Sequence, residues 1–178
     1  MLGVSGSVAA YRAADLAREL MRMGFTVRTC LTDSATAFVT PALFEALTGN
    51  PCLQSVFEEP EVGRMAHIDW ARQADAVVIA PATANTLNKL AAGIGDDMLT
   101  TLALATTAPL LVAPAMNPAM YANPATRDAL EKLSSRGVFM VEPTEGDVAC
   151  GENGQGKLAS VASIAAAVQT LVRRSQAL

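Results

Sequence analysis

Pro109-Leu-Leu-Val-Ala-Pro114 runs directly into Ala115-Met-Asn-Pro-Ala-Met-Tyr121. The first part has the pattern of a strand buried on both faces, as parallel strands covered by helices are. The second is a polar turn in which Pro114 and Pro118 fix φ on either side of one amide, Asn117. Two readings of Asn117 stand open. It caps the next helical turn, as Asn often does after a strand, or it points its amide at a ligand.

Working outward, the same succession of strand and polar turn recurs. Asp75-Ala-Val-Val-Ile-Ala80 is a second continuous apolar run, ending at Pro81-Ala-Thr-Ala-Asn-Thr86. Phe25-Thr-Val-Arg-Thr-Cys-Leu31 alternates like a strand and ends at Thr32-Asp-Ser34. Residues 1–8 read as the tail of a strand entering a small-residue turn; it is short by a few residues, so the natural chain is expected to begin further upstream. Residues 138–142 are predicted as the last strand, and residues 52–64 as a charged surface loop or edge strand. Helices are expected over residues 9–23, ended by Gly24, and from Thr40-Pro41 to Gly49. Further helices are expected over residues 65–72, 87–92 and 97–106. Another is signalled by Asn123 as N-cap, Pro124 at its first position and Gly137 beyond its end. An Ala-rich helix closes the chain. Such alternation with short connections specifies an α/β doubly wound parallel sheet in a single domain. Ligands of such sheets sit outside the carboxyl ends of the strands, at the switch point.

Composition narrows the function. The chain has 178 residues, 51% of them hydrophobic but only 4% aromatic, so its core is built from Ala, Val, Leu and Met. A formal charge of −4 argues against binding a phosphate backbone, and no nucleic-acid partner is expected. The apolar runs fall short of the roughly twenty residues of a membrane span, and no charged-then-apolar leader is seen, so no membrane partner is expected either. Cys30, Cys52 and Cys150 have neither disulfide nor metal spacing, and His67 is the sole histidine. The expectation is a reduced, cytoplasmic protein without metal.

Chemistry concentrates at the strand ends. The first turn, Gly3-Val-Ser-Gly-Ser-Val8, offers N–H groups and hydroxyls at a helix start that suit an anion. The GxGxxG and GxxxxGK[ST] fingerprints are lacking, which disfavours NAD and ATP. Thr32 and Ser34 follow the second strand; Thr83, Asn85 and Thr86 follow the fourth. Any one of these reads as a helix cap; together they suit an anionic mononucleotide. A lone histidine is more often packed or solvated than catalytic, yet His67 is the side chain best placed to titrate near neutrality. Cys150 stands in a polar, glycine-rich segment and is available for proton or thiol chemistry. Lys157 and its neighbouring glycines suggest either a flap or an ordinary surface loop.

Gly6-Ser-Val-Ala-Ala-Tyr11, His67-Ile68, Pro81-Ala-Thr-Ala-Asn-Thr86, Pro114-Ala-Met-Asn-Pro-Ala-Met-Tyr121 and Ala149-Cys-Gly-Glu-Asn-Gly-Gln-Gly-Lys157 occur in this order. Jointly they resemble the flavin-dependent cysteine decarboxylases. Within these the chain is most similar to the phosphopantothenoylcysteine decarboxylases, including those that form the N-terminal half of a bifunctional bacterial coenzyme A biosynthesis protein. The resemblance spans essentially the whole chain, so residues 1–178 are read as one FMN-binding decarboxylase domain. It implies FMN, a Rossmann-like (flavodoxin-like) fold, and homotrimers able to assemble into dodecamers, with active sites at subunit contacts.

Carried over by motif, Gly6, Ser7, Val8, Thr32, Ser34, Thr83, Ala84, Asn85, Thr86 and Ala115 would line the FMN site. His67 would be the active-site base, Asn117 would bind the substrate carboxylate, and Cys150 would be the proton donor of a final reductive step. Arg72 and Lys157 are further substrate-binding candidates. The implied chemistry oxidises the thiol of 4′-phosphopantothenoylcysteine to a thioaldehyde, which readily loses CO2; the resulting ene-thiolate is then reduced. Two features depart from the family pattern: Tyr121 stands where Trp is usual, and the synthetase half is missing. The chain is therefore either a stand-alone decarboxylase or an excised domain. Peptidyl-cysteine decarboxylases, similar in fold and flavin, release the ene-thiol unreduced and have no need for Cys150. Flavin prenyltransferases should lack the Pro-Ala-Met-Asn motif, and phosphatase-regulating relatives carry long acidic tails that are not seen here.

Overall fold

The computed structural model describes residues 1–57, 64–147 and 149–176. The strand Asp75-to-Ala80 of the sequence reading is β4 (Val77–Ala82), and it lies at the centre of the molecule. Val77 and Ile79 face one apolar cluster while Val78 and Ala80 face another, so side chains alternate between two cores and both faces are covered. β1 (Leu2–Val4) and β5 (Leu110–Pro114) flank it, both parallel to it. Between Ile79 and Ala82 the β4–β5 register shifts, at a cis Ala80–Pro81 bond.

β2 (Thr29–Leu31) and β3 (Cys52–Leu53) extend the sheet beyond β1, and β6 (Phe139–Met140) extends it beyond β5. Among the described residues this gives six parallel strands in the order β3-β2-β1-β4-β5-β6. The chain winds outward from β1 in one direction, then returns and winds outward in the other. Its switch point lies between β1 and β4.

On one face lie α1 (Arg12–Arg22), α2 (Pro41–Thr48) and α8 (Val161–Gln176). α1 buries Ala13, Leu16, Ala17 and Leu20, an i, i+3, i+4, i+7 stripe of small and branched residues that lets it pack close. On the other face lie α3 (Ala66–Gln73), α4 (Ala84–Ala92), α5 (Met98–Ala105) and α7 (Pro124–Ser135). The predicted caps of α7 are present: the Asn123 Oδ1 accepts the Ala125 N–H at 3.0 Å, with Pro124 at the first position.

Several boundaries differ from expectation. The second strand starts only at Thr29, and residues 8–11 form a 3-10 turn before α1. α4 begins at Ala84 rather than Leu87, because the Thr83 hydroxyl accepts the Thr86 N–H at 3.3 Å and so caps the helix. The strand predicted over residues 138–142 shrinks to β6 and is not the last. After it, β7 (Thr144–Asp147) and β8 (Asn153–Lys157) pair as an antiparallel ribbon outside the main sheet. Of residues 52–64, expected as a charged surface loop or an edge strand, the start is the edge strand β3, and part lies outside the described residues.

Candidate functional site

Because the strands are parallel, the turns after β1, β2, β4 and β5 all leave the sheet at one end. The first is tied to the third by Ser5, only 1% exposed. Its hydroxyl donates to the Pro81 carbonyl at 2.7 Å and accepts the Thr83 N–H at 2.9 Å. Ser5 stood in the turn read as an anion site, yet its hydroxyl is wholly engaged in joining β1 to β4 across the switch point. The sequence signal was a small hydroxyl residue next to a buried strand end, which is also what an anion turn looks like.

Around this joint the hydroxyls gather in pairs. Thr32 Oγ1 and Ser34 Oγ lie 3.2 Å apart, as do Thr83 Oγ1 and Thr86 Oγ1. Ser7 caps the 3-10 turn by accepting the Ala9 N–H at 3.2 Å. Gly6 is required by close approach: a Cβ there would overlap the Ser34 side chain and come to 2.8 Å from the Ser34 carbonyl carbon. Thr32 and Thr86 are buried, whereas Ser34 and Asn85 are exposed. Hydroxyls and helix-start N–H groups converging at one sheet end fit a phosphate and the polar edge of a planar ring, the parts of the mononucleotide that the sequence implied.

The fourth turn carries Asn117. Its Oδ1 accepts the Met120 N–H at 2.8 Å, capping the short helix α6 (Pro118–Ala122). The capping reading therefore holds, and it fixes the amide: with Oδ1 engaged, Nδ2 points outward, where it donates to Glu152 Oε2 at 3.2 Å. The ribbon β7–β8 lies on this turn. Met116 N–H donates to the Gly156 carbonyl at 3.0 Å, and a side chain on Gly156 would overlap the Met116 carbonyl. Gly154 and Gly156 thus serve close packing, where the sequence had suggested a flap or a surface loop. The root of the ribbon is held as well, since the Tyr121 hydroxyl donates to Glu142 Oε2 at 2.6 Å and Arg127 stacks 5.2 Å from the Tyr121 ring centre. Burial, then the Glu142 bond, push the Tyr121 phenol up to about 12.

Between the ribbon and the strand ends is an open cleft of about 360 Å³. Ser7, Val8, Ala115, Asn117, Cys150 and Lys157 all line it, so three distant sequence motifs meet there. Cys150 sits on the exposed ribbon turn. His67 and Arg72 do not line this cleft: both lie on α3, whose Ala71 carbonyl accepts the Thr106 hydroxyl at the end of α5. His67 is partly buried, its Nδ1 wholly so, and Arg72 is exposed. Glu152 was not singled out by the sequence; it is separated from Asn117 by 35 positions, and nothing local marks the pair. A second cavity of about 200 Å³, lined by Met1, Phe25, Trp70 and Val172 among others, lies at the amino ends of the strands and shares no lining residue with the cleft. Among the described residues no cluster of three or more potential ligands could hold a metal, and no helix is long and apolar enough to cross a membrane.

The fold and cleft define a doubly wound α/β protein with an open cleft at the carboxyl ends of its strands and a thiol-bearing ribbon beside it. A family model described as Flavoprotein matches residues 1–173, and the chain belongs to that family. It is 44% identical over 158 residues to the coenzyme A biosynthesis bifunctional protein CoaBC of Vibrio cholerae, which covers 89% of this chain and 40% of that protein. The chain therefore spans about 40% of the length of the curated relatives it matches. Among solved structures it is similar to a cysteine-to-serine variant of PPC decarboxylase complexed with pantothenoylaminoethenethiol. That match has a TM-score of 0.82 and 33% identity, covering 95% of this chain and 94% of the other. It is also similar to the FMN-dependent cysteine decarboxylase SpaF, with a TM-score of 0.84 and 33% identity over 98% and 95% of the two chains.

Proposed function

We propose that this chain carries out the FMN-dependent decarboxylation of 4′-phosphopantothenoylcysteine to 4′-phosphopantetheine in coenzyme A biosynthesis, with residues 1–178 as its decarboxylase domain. The observation that carries the reading is the meeting of Cys150 with Asn117 and Ala115 about one cleft at the switch point. The turns bearing Gly6 to Val8, Thr32 and Ser34, and Thr83 to Thr86, with Ala115, would hold FMN. When bound, it would supply the two-electron acceptor for thiol oxidation and the donor for the final reduction.

The chain's own residues do the rest. The outward Nδ2 of Asn117 is a donor whose present acceptor is the exposed Glu152 carboxylate, and it is suited to hold the substrate carboxylate in line for departure. His67 takes up the substrate proton released on oxidation. Since His67 does not line the cleft of its own chain, this step needs a second copy to bring α3 to the cleft, in keeping with a homotrimer that can assemble further into dodecamers. Cys150 delivers its proton to the ene-thiolate carbon. Arg72 and Lys157 bind the outer parts of the substrate. The protein would work in the cytoplasm.

An absorbance spectrum of the purified protein, then mass spectrometry after incubation with 4′-phosphopantothenoylcysteine, tests this. A yellow protein yielding 4′-phosphopantetheine supports the proposal. A yellow protein that leaves this substrate unchanged would point to a peptidyl-cysteine or regulatory role, and one unable to take up FMN would undo the cofactor assignment.

A further inference from the structure

The ribbon is held to the Asn117 turn in two different ways. Its base is fixed through the backbone, by the Met116 N–H to Gly156 carbonyl bond and by the close seating of Gly154 on Pro118 and Gly156 on Met116. No small ligand competes for those contacts. Its tip, which carries Cys150, reaches the same turn, among the described residues, through the side-chain bond from Asn117 Nδ2 to Glu152 Oε2 at 3.2 Å. That bond uses the one end of the Asn117 amide left free by capping, because Oδ1 is committed to the Met120 N–H at 2.8 Å. An outward Nδ2 welcomes an acceptor, and Glu152 supplies a carboxylate of the chain's own.

We propose that Glu152 is a positioning residue whose carboxylate exchanges with the substrate carboxylate at Asn117, and so seats the Cys150 turn at the moment its proton is needed. The inference rests on the reading of Asn117 as carboxylate holder and Cys150 as proton donor. While the substrate carboxylate occupies Nδ2, Glu152 is displaced and the tip is tethered only from its base. Departure of CO2 removes that competitor. Glu152 then returns to Nδ2 and draws the Cys150 turn down onto the decarboxylated product. The order of the two half-reactions follows: the proton donor is fixed in place only after the carboxylate has gone.

The test is a single-turnover assay on the FMN-loaded protein with 4′-phosphopantothenoylcysteine, following CO2 and the ratio of ene-thiol to reduced product. Glu152→Ala should keep CO2 release and raise the ene-thiol share about five-fold, the size expected of one hydrogen bond. Glu152→Gln, which keeps an acceptor oxygen, should restore the ratio. The rate at which iodoacetamide alkylates Cys150 in the substrate-free protein is a second readout independent of turnover; it should rise about five-fold in Glu152→Ala and not in Glu152→Gln. Glu152 is exposed on a turn, and retained FMN absorbance shows that each variant is folded. Wild-type partitioning together with wild-type alkylation in Glu152→Ala would overturn the proposal. Failure of the underlying reading looks different: Asn117→Ala would then release CO2 normally, whatever Glu152 does.

Discussion

Asn117 serves as both cap and donor because an amide has two ends. The Met120 N–H takes Oδ1, and that commitment turns Nδ2 outward. From sequence alone the two readings looked exclusive; local geometry makes the first the condition of the second. The three cysteines separate in the same way. Cys30 is wholly buried in β2, and its thiol is raised well above the usual range, chiefly by burial. Cys52 is pushed up to about 11, again chiefly by burial, which leaves roughly a hundred-fold less thiolate than an ordinary thiol. Cys150 is exposed on the ribbon turn. Iodoacetamide at pH 8 followed by peptide mass mapping should therefore label Cys150 first, Cys52 far more slowly, and Cys30 only after unfolding. In the Cys150→Ser variant FMN content and CO2 release should persist while ene-thiol accumulates; a variant forming 4′-phosphopantetheine at the wild-type rate would remove Cys150 from the mechanism.

Elements were legible in proportion to how local their causes are. The Asn123-Pro124 start of α7 and the apolar run of β4 depend on neighbours in sequence, and both are found. The ribbon was not legible, because β7 and β8 are charged, glycine-rich and held by their seat on the Asn117 turn rather than by an apolar face of their own. Its root depends on Tyr121, where family members usually carry Trp. The phenol adds a polar tip that Glu142 accepts at 2.6 Å. Tyr121→Phe should lower the stability measured by urea unfolding by about 1 kcal/mol at neutral pH. The pH dependence has a definite sign. The Tyr121 pKa is raised from 10.0 to about 12, so its contribution is complete below the lower value and is lost as pH climbs to the higher. Wild-type stability should fall more steeply than that of the Phe variant across this window.

At the scale of the whole molecule, alternation of strand and helix predicted the doubly wound sheet, and the switch point predicted which end of it would carry the site. Ser7, Ala115, Asn117 and Cys150 gather about one cleft at that end, while His67 and Arg72 lie elsewhere on the chain. Sequence motifs place residues in one list without saying which surface they share, and α3 packs on α5 rather than over the cleft. If the complete centre is shared between chains, two defective proteins should repair each other. Co-expression of His67→Asn with Asn117→Ala should give CO2 release well above that of either variant alone, and no recovery would place both residues of a working site in one chain.

The two-residue strands β3 and β6 that border the sheet have a consequence for how copies can meet. Each border offers room for only a couple of main-chain bonds, too few to recruit another strand, so the sheet is poorly suited to growing by stacking edge on edge into fibres. Assembly is left to the helical flanks and the loops at the strand ends, surfaces whose side chains can discriminate between partners in a way that a bare backbone ladder does not.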